Sequence, residues 1–141
     1  MEAIRGFFGS YRWLSNFWPA VVKMSGLVFP SVENAYQAAK TLDPGVRKWL
    51  SEVSPSKAKQ IGKTLRVRED WEQIKLQVMY ELVRYKFTCN LELKTRLIKT
   101  GDAYLEETNT WRDKFWGVFN GQGENHMGKI LMRIRKEICD G

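Results

Sequence analysis

The sequence predicts a mainly helical α+β fold, a single compact domain with about six helices and a small β element near the N-terminus. Three observations lead to this prediction. The chain has 141 residues, which suits one domain over residues 1–141. Its composition, 43% hydrophobic and 28% charged residues, is typical of a globular protein. Most segments after residue 31 follow helical spacing and are bounded by capping residues.

The β element is expected within the first thirty residues. Segments 20–24 and 27–29 flank Ser25 and Gly26, a pair that predicts a two-residue hairpin turn. Before the hairpin, residues 7–19 are rich in aromatic side chains and interrupted by Gly and Pro. The side chains of such a loop either fill part of the hydrophobic core or line a pocket, and the sequence favours the core.

The helices are indicated by their caps and apolar stripes. They are, in order, residues 31–42, a short set of turns over 46–53, residues 54–62, a long helix from 70, residues 91–100 closed by Gly101, and a last helix from about 125. Between 102 and 124 lies a second non-helical region, part of which fits a strand. A loop of this length is often functional.

Few side chains are available for metal or nucleophilic chemistry. The chain has two cysteines, Cys89 and Cys139, and a single histidine, His126. A zinc site needs about three or four such ligands, and no GxSxG motif marks a serine hydrolase. We therefore expect no cofactor and no zinc. Weak binding of a magnesium ion by carboxylates is the one metal site that the sequence leaves open.

The formal net charge of +7 favours an anionic partner such as a phosphate, a nucleotide or nucleic acid. Many cytosolic domains are basic without such a partner, so this signal is not specific. No apolar run approaches the ~18 residues of a membrane span, and no signal peptide opens the chain. A cytoplasmic protein without a membrane partner is expected, and its oligomeric state is left open.

The helix from Ser31 carries the sharpest group of polar residues. Glu33, Gln37 and Lys40 are spaced at i, i+4 and i+7, which places them on one stripe at ~100° per residue. Tyr36 lies beside this stripe. One interpretation is a solvated face. The other is a helix covered on both sides, where Glu33 and Lys40 line a cleft.

A second candidate lies in the non-helical region. Asp113 is flanked by Trp111, Phe115 and Trp116, and a carboxylate among aromatic rings is a candidate acid or base. The alternative is ordinary packing of the rings with Asp113 pointing outward.

Residues 121–129 formally contain GxxxxGK. They lack the Ser or Thr that follows the lysine of a P-loop, so a P-loop is rejected. The start of the last helix either meets an anion or is capped plainly by Asn125.

An ordered series of motifs, spread over nearly the whole chain, resembles the NADAR (YbiA-like) family. The segments are Trp13-Leu14-Ser15-Asn16-Phe17 with Pro19, Ser31-Val32-Glu33-Asn34-Ala35-Tyr36-Gln37-Ala38-Ala39-Lys40, Ala58 to Gly62, Arg68-Glu69-Asp70-Trp71, Lys86-Phe87, Leu97 to Gly101, Asp113 to Gly117, and Gly123-Glu124-Asn125 to Arg135. Each piece alone is a weak signal, whereas the series in this order is specific.

This resemblance implies an N-glycosidase that cleaves the bond between C1′ of a ribose and an amine nitrogen. Two substrate groups are associated with the family, the ribosylamino-pyrimidine intermediates of riboflavin synthesis and ADP-ribose attached to guanine. The resemblance also implies that Lys40 and Glu33 are catalytic. Its pocket residues map to Asp113, Phe115, Trp116 and Gly117.

The chemistry of these residue types is compatible with that activity. A ribosylamine opens to an imine, and a neutral lysine can attack C1′, displace the amine and form a Schiff base that water cleaves. The lysine pKa must then fall from ~10.4 by about three units, ~4 kcal/mol. Cations such as Lys48 or Arg12 would help, and a charged Glu33 would oppose the shift. Glu33 is therefore expected to be protonated or to shuttle protons, with Asp113 as the second candidate for that role.

The expected partner is a phosphorylated ribosyl-base or ADP-ribosyl-guanine substrate, free or within nucleic acid. Its candidate contacts are Asn16 and Asn125 for ribose hydroxyls, Trp111 or Trp116 for base stacking, and Tyr36 and Gln37 beside the catalytic pair.

Three alternatives stay open. Two carboxylates could direct water attack on an oxocarbenium-like centre. The chain could also be a non-catalytic module that binds ADP-ribose, nucleotides or nucleic acid, or a plain nucleic-acid-binding domain.

Overall fold

A computed structural model describes residues 2–141 and confirms a mainly helical α+β fold. The helices are α1 (Val32–Ala39), α2 (Pro44–Leu50), α3 (Pro55–Gly62), α4 (Trp71–Thr88), α5 (Leu91–Lys99) and α6 (His126–Asp140), with a 3-10 helix over Gly9–Leu14. The strands are β1 (Ile4–Arg5), β2 (Val22–Met24), β3 (Leu27–Phe29) and β4 (Leu105–Glu106).

The chain divides into two compact units. The first unit contains residues 2–15 and 87–141, and the second unit contains Asn16–Lys86, so the boundary falls inside α4. A single domain over residues 1–141 stays a prediction.

The second unit opens with the expected hairpin. Strands β2 and β3 pair antiparallel, with Val22 opposite Phe29. Ser25 and Gly26 form the turn with positive φ angles of 52° and 78°, the conformation that a type I′ hairpin requires. Val22 and Phe29 are fully buried, and both strands pack against α1.

Helix α1 begins as the sequence predicts and ends three residues earlier. The Ser31 hydroxyl accepts the N–H of Asn34 at 3.1 Å, which caps the first turn. The helix ends at Ala39, and Lys40 is its C-cap residue. The N–H of Lys40 bonds the carbonyl of Gln37, a tighter bond that closes the last turn. Asp43 instead caps α2, its Oδ1 accepting the N–H of Gly45 at 2.9 Å.

Two further helices of the second unit cover α1. Both α2 and α3 pack against it. The Asn34 carboxamide ties α1 to the end of α2 by donating to the carbonyls of Leu50 and Val53, each at 2.8 Å. Helix α4 buries Trp71 and Leu82, whereas Ile74, Val78 and Tyr85 are only partly buried.

The first unit is organised around a short parallel pair, β1 with β4, in which Ile4 lies opposite Leu105. Helix α6 packs against β4, and α5 packs against α6. A Cβ at Gly128 would lie 2.0 Å from the Leu105 carbonyl oxygen, so this glycine permits the close approach of α6. Trp13 and Leu14 are buried, so this part of the aromatic loop fills the core as predicted.

Within residues 2–141, no helix has both the length and the apolar character needed to cross a membrane.

Candidate active site

Helix α1 is buried on every face. All eight of its residues are buried, including Glu33 at 8% exposure and Gln37 at 5%. The solvated-face interpretation of this stripe is therefore wrong. Small side chains at Ala35, Ala38 and Ala39 let the hairpin, α2 and α3 approach closely enough to cover the helix.

Gln37 connects Glu33 to α3. Its Nε2 donates to Glu33 Oε1 at 3.3 Å. A Cβ at Gly62 of α3 would lie 1.8 Å from Gln37 Oε1, so the amide rests directly on that glycine. Within the described chain, Gln37 Oε1 is buried and accepts no hydrogen bond. The absence of a side chain at residue 62 therefore sets the position of the Gln37 amide and, through it, one oxygen of Glu33.

Lys40 extends from the end of α1 and is partly buried. Its Nζ lies 5.4 Å from the centroid of the Tyr36 ring, a cation–π arrangement when the amine is charged. Burial lowers the pKa of Lys40, the charge of Glu33 raises it, and the charge of Lys75 lowers it. The Lys40 carbonyl accepts the N–H of Arg68 at 2.8 Å, which fixes the backbone where the side chain leaves the helix.

Two further groups complete the surroundings of this stripe. The Tyr36 ring packs on Trp71 of α4 with centroids 5.2 Å apart. The backbone carbonyl of Asn16 accepts the N–H of Glu33 at 3.0 Å. The side-chain Nδ2 of Asn16 donates to the sulfur of Met79 at 3.5 Å. The second unit thus brings Asn16, Glu33, Tyr36, Gln37 and Lys40 together, and their roles in catalysis and substrate binding stay predictions.

The first unit holds the other candidate residues. Asp113 Oδ1 accepts the N–H groups of Phe115 at 3.0 Å and Trp116 at 2.9 Å. The Asn109 side chain holds the backbone of Asp113, because it accepts the Asp113 N–H at 3.0 Å and donates to the Asp113 carbonyl at 2.8 Å. The Asp113 carboxylate therefore organises the turn that carries the aromatic rings.

These rings form a cluster with the only histidine of the chain. Phe115 lies 4.9 Å from Trp116 and 4.5 Å from His126, measured between ring centroids. Gly117 packs against backbone, since a Cβ there would lie 2.1 Å from the Glu107 carbonyl oxygen. Trp111 is 58% exposed.

Asn125 is only 2% exposed and has a left-handed backbone with φ of 52°. It is the N-cap residue of α6, as one interpretation of the sequence expects, but its side chain makes no capping hydrogen bond. The Oδ1 atom accepts the Glu107 N–H at 3.0 Å, and Nδ2 donates to the Leu105 carbonyl at 2.9 Å and the Tyr104 hydroxyl at 3.2 Å. Its role in substrate binding stays a prediction.

The sequence analysis did not anticipate that the charge of Lys75 acts on Lys40 or that His126 contacts Phe115. Lys75 follows Trp71 by four residues, one helical turn, and this spacing is visible in the sequence. The contact of His126 with Phe115 joins segments whose proximity depends on tertiary packing. Among residues 2–141, no three His, Cys, Asp or Glu side chains are grouped so that they could hold a metal ion.

Comparison with known proteins places this geometry in a family. The NADAR domain model matches residues 6–139. The N-glycosidase YbiA of Escherichia coli is 37% identical over 135 residues, which cover 92% of this chain and 82% of that protein. Its solution structure superimposes with a TM-score of 0.87 at 33% identity and covers 99% of this chain and 86% of that one.

Two other relatives are similar to the chain. An N-glycosidase of Nostoc punctiforme is 36% identical over 135 residues, 91% of this chain and 86% of that protein. A riboflavin biosynthesis protein of Vibrio vulnificus is 36% identical over 133 residues, 92% of this chain, but the match spans only 36% of that longer protein. The family model and the relatives matched along most of their length show that this chain belongs to the NADAR family of N-glycosidases.

Proposed function

We propose that this N-glycosidase hydrolyses the C1′–N bond between ribose and an amine-bearing base through a Schiff base on Lys40. The observation that carries the proposal is a partly buried lysine amine whose pKa is lowered by burial, because the neutral amine is the nucleophilic form. Lys86 also has a lowered pKa, about 7. Its side chain is only 1% exposed, so a ribose has no access to it.

The proposed reaction begins with opening of the ribose ring. The lone pair of the base nitrogen forms a double bond to C1′, the C1′–O4′ bond breaks, and O4′ takes a proton. The neutral Lys40 amine then adds to C1′. The C1′–N bond to the base breaks, the base leaves as an amine with a proton, and C1′ is held as an iminium on Lys40. Water adds to the iminium, and release of Lys40 yields the free sugar.

Glu33 is the proposed proton shuttle for these steps. It lies seven residues before Lys40 on α1, is buried, and is oriented by Gln37. A carboxylic acid at this place can give a proton to the leaving amine, and the resulting carboxylate can take one from the attacking water.

The proposed substrate is a phosphorylated ribosylamine, free or within nucleic acid. The name of the Vibrio vulnificus relative supports a ribosylamino-pyrimidine intermediate of riboflavin synthesis. The family resemblance supports ADP-ribosyl-guanine as the second substrate group. A net charge of +7 suits both, since both carry phosphate.

The remaining site residues are proposed as substrate contacts, and this assignment rests on the sequence reasoning and the resemblance. Asn16, Tyr36 and Gln37 belong to the second unit. From the first unit, the proposed contacts are Trp111, Phe115, Trp116, Gly117 and Asn125, with Asp113 as the alternative acid or base.

The proposal is tested by offering both substrate groups side by side and measuring base release by chromatography. Borohydride added during turnover reduces the iminium to a stable secondary amine, and peptide mass mapping locates it. We expect the adduct on Lys40, and we expect Lys40→Ala to lose about 100-fold or more of the turnover. Lys23→Ala, an exposed lysine on β2, is the control and keeps full activity.

Three outcomes would contradict the proposal. An adduct that forms equally well on Lys40→Ala protein removes the lysine from the mechanism. Substantial turnover by Lys40→Ala, together with loss in Glu33→Gln or Asp113→Asn, indicates direct water attack between two carboxylates. Binding of both substrate groups without base release indicates a binding module.

A further inference from the structure

The two polar atoms of the Gln37 amide face different neighbours. Nε2 donates to Glu33 Oε1 at 3.3 Å, one turn earlier on α1. Oε1 faces Gly62 of α3, where a Cβ would lie 1.8 Å away. Within residues 2–141 this oxygen is buried and has no hydrogen-bond partner. The hydrogen bonding of the amide is therefore directed at Glu33 alone.

Gly62 favours the orientation in which the N–H group of Gln37 faces Glu33. With no side chain at residue 62, a Cα hydrogen takes the place of the Cβ and lies close to Oε1. A carbonyl oxygen makes a weak favourable contact with a Cα–H group, whereas an NH2 group would direct its own hydrogens at it. Exchange of the two ends of the amide would also bring its oxygen against an oxygen of Glu33. Gln37 is therefore held as a donor to Glu33.

A donor directed at a carboxyl oxygen favours the ionised form of that group. The place of Glu33 acts in the same direction, because it lies in the first turn of α1, where the helix dipole favours a negative charge. Burial acts the other way, since Glu33 is only 8% exposed and loss of hydration disfavours a charge. A buried carboxylate needs hydrogen-bond donors, and Gln37 supplies one.

The charged side chains around α1 also favour an ionised Glu33. Four elements pack against α1, namely β2, β3, α2 and α3. Every charged side chain on them is a cation: Lys23 on β2, Arg47 and Lys48 on α2, and Lys57 and Lys59 on α3. Next to these elements, Arg68 pairs with Asp70 and Lys75 pairs with Glu72. The four packed elements therefore bring no second carboxylate that would share a proton with Glu33.

We propose that Gln37 is a positioning residue of this enzyme, which Gly62 holds with its N–H group toward Glu33 so that Glu33 starts the reaction as a carboxylate. The catalytic part of this inference rests on the proposed function of Glu33 and Lys40. In that reaction the Lys40 nitrogen loses a proton after it has added to C1′, and the carboxylate is the form of Glu33 that can take it. Transfer of this proton to the departing base nitrogen restores the carboxylate.

The hydrogen bond itself is measurable without substrate. The experiment is a carbon-13 NMR titration of the folded protein, labelled at the glutamate carboxyl carbons, with the Glu33 signal assigned by its loss in Glu33→Gln. We expect Gln37→Met, a side chain of similar length without a donor, to raise the pH midpoint of the Glu33 signal by about one unit. Gly62→Ala is expected to raise this midpoint as well, because the new Cβ displaces the amide.

The matched control is a second glutamine–glutamate pair one turn apart, on the exposed surface of α4. Gln77 Nε2 donates to Glu81 Oε1 at 2.8 Å, and water screens this pair. Gln77→Met is expected to move the Glu81 midpoint by no more than about 0.3 unit and to leave the Glu33 midpoint unchanged. The inference is overturned if Gln37→Met moves Glu33 no further than this, or if Glu33 of the parent protein is already protonated at neutral pH.

With substrate, we expect kcat of Gln37→Met to fall about tenfold at pH values below the parent midpoint and to recover at alkaline pH, where Glu33 is ionised in both proteins. An equal loss at every pH overturns the positioning role. A rise in KM alone, which marks a direct contact with substrate, also overturns it. If Glu33→Gln keeps full turnover, the proposed function of Glu33 fails, while the titration still decides the hydrogen bond with Gln37.

Discussion

Lys86 provides a direct test of how a buried amine controls the stability of this chain. Its side chain is 1% exposed near the end of α4, and burial lowers its pKa from 10.5 to about 7. Between these two values the unfolded chain binds a proton that the folded protein does not. The free energy of unfolding therefore rises with pH across this window. The contribution of Lys86 to it is constant above pH 10.5 and below about pH 7.

The size of the effect follows from the shift. A change from 10.5 to about 7 corresponds to about 5 kcal/mol at ~1.4 kcal/mol per unit, which is the cost of burying the ionisable amine at neutral pH and below. Lys86→Met keeps a long unbranched side chain and removes that amine. We expect the variant to be more stable at pH 7 by about 1 to 4 kcal/mol, because the contacts of Lys86 are lost at the same time.

Urea unfolding of both proteins at several pH values between 7 and 10.5 measures this difference. The parent free energy of unfolding should climb more steeply than that of Lys86→Met, by up to ~1.4 kcal/mol per pH unit in the middle of the window. Lys40 is present in both proteins, so its own lowered pKa affects the two curves alike. Parallel curves, or a variant advantage that persists above pH 10.5, would refute the reasoning.

Three substitutions test the packing of the candidate residues. Gly62→Ala is expected to cost about 1–3 kcal/mol in thermal unfolding and to slow base release, because the new Cβ would meet Gln37 Oε1 at 1.8 Å. Gly117→Ala is expected to cost more, about 3 kcal/mol, since its Cβ would meet the backbone carbonyl of Glu107 at 2.1 Å and backbone cannot rotate aside. Asp113→Ala removes the acceptor of two N–H groups and is expected to lower stability by about 1–3 kcal/mol and raise KM.

Each of these substitutions has a clear contrary result. Gly45→Ala is the matched glycine control, because its Cβ would meet only Asp43 Oδ1 at 3.3 Å in the first turn of α2. If Gly62→Ala behaves like Gly45→Ala, the Gln37 contact does not constrain the site. A Gly117→Ala protein with the parent melting temperature contradicts the backbone contact, and an Asp113→Ala protein with unchanged stability contradicts the proposed turn.

The local features of the fold were predictable because their causes lie within a few residues of sequence. A hydroxyl three residues before the N–H it accepts marks the start of α1 at Ser31 and of α3 at Ser54. Gly101 adopts φ of 64° after α5, the left-handed conformation that glycine adopts without strain. The hairpin turn at 25–26 has the same kind of cause.

Features that depend on distant segments were not predictable in this way. The β1–β4 pair joins residues 4–5 to residues 105–106, and a strand of two residues shows no alternating pattern. The end of α1 was expected at residue 42 from the apolar stripe. Its actual end at Ala39 depends on the tight bond from Lys40 to Gln37, which the stripe does not reveal.

The candidate site shows the same division. Helical spacing correctly grouped Glu33, Gln37 and Lys40, because one helix determines that geometry. Whether the group is solvated or covered depends on what packs against α1, and both interpretations fitted the sequence. The effect of the Lys75 charge on the pKa of Lys40 required the same tertiary information, since these two residues lie on different helical segments.

The loop over residues 113–124 is anchored by two asparagine carboxamides. The Asn109 carboxamide bonds both the N–H and the carbonyl of Asp113, the first residue of the loop. The Asn125 carboxamide, just after the loop, donates to the Leu105 carbonyl of β4. The tip between them closes on itself, with Phe119 and Gln122 exchanging backbone hydrogen bonds. Insertions or deletions at this tip should be absorbed locally. The sequence and length of the tip can therefore vary while the ring cluster and the start of α6 keep their positions.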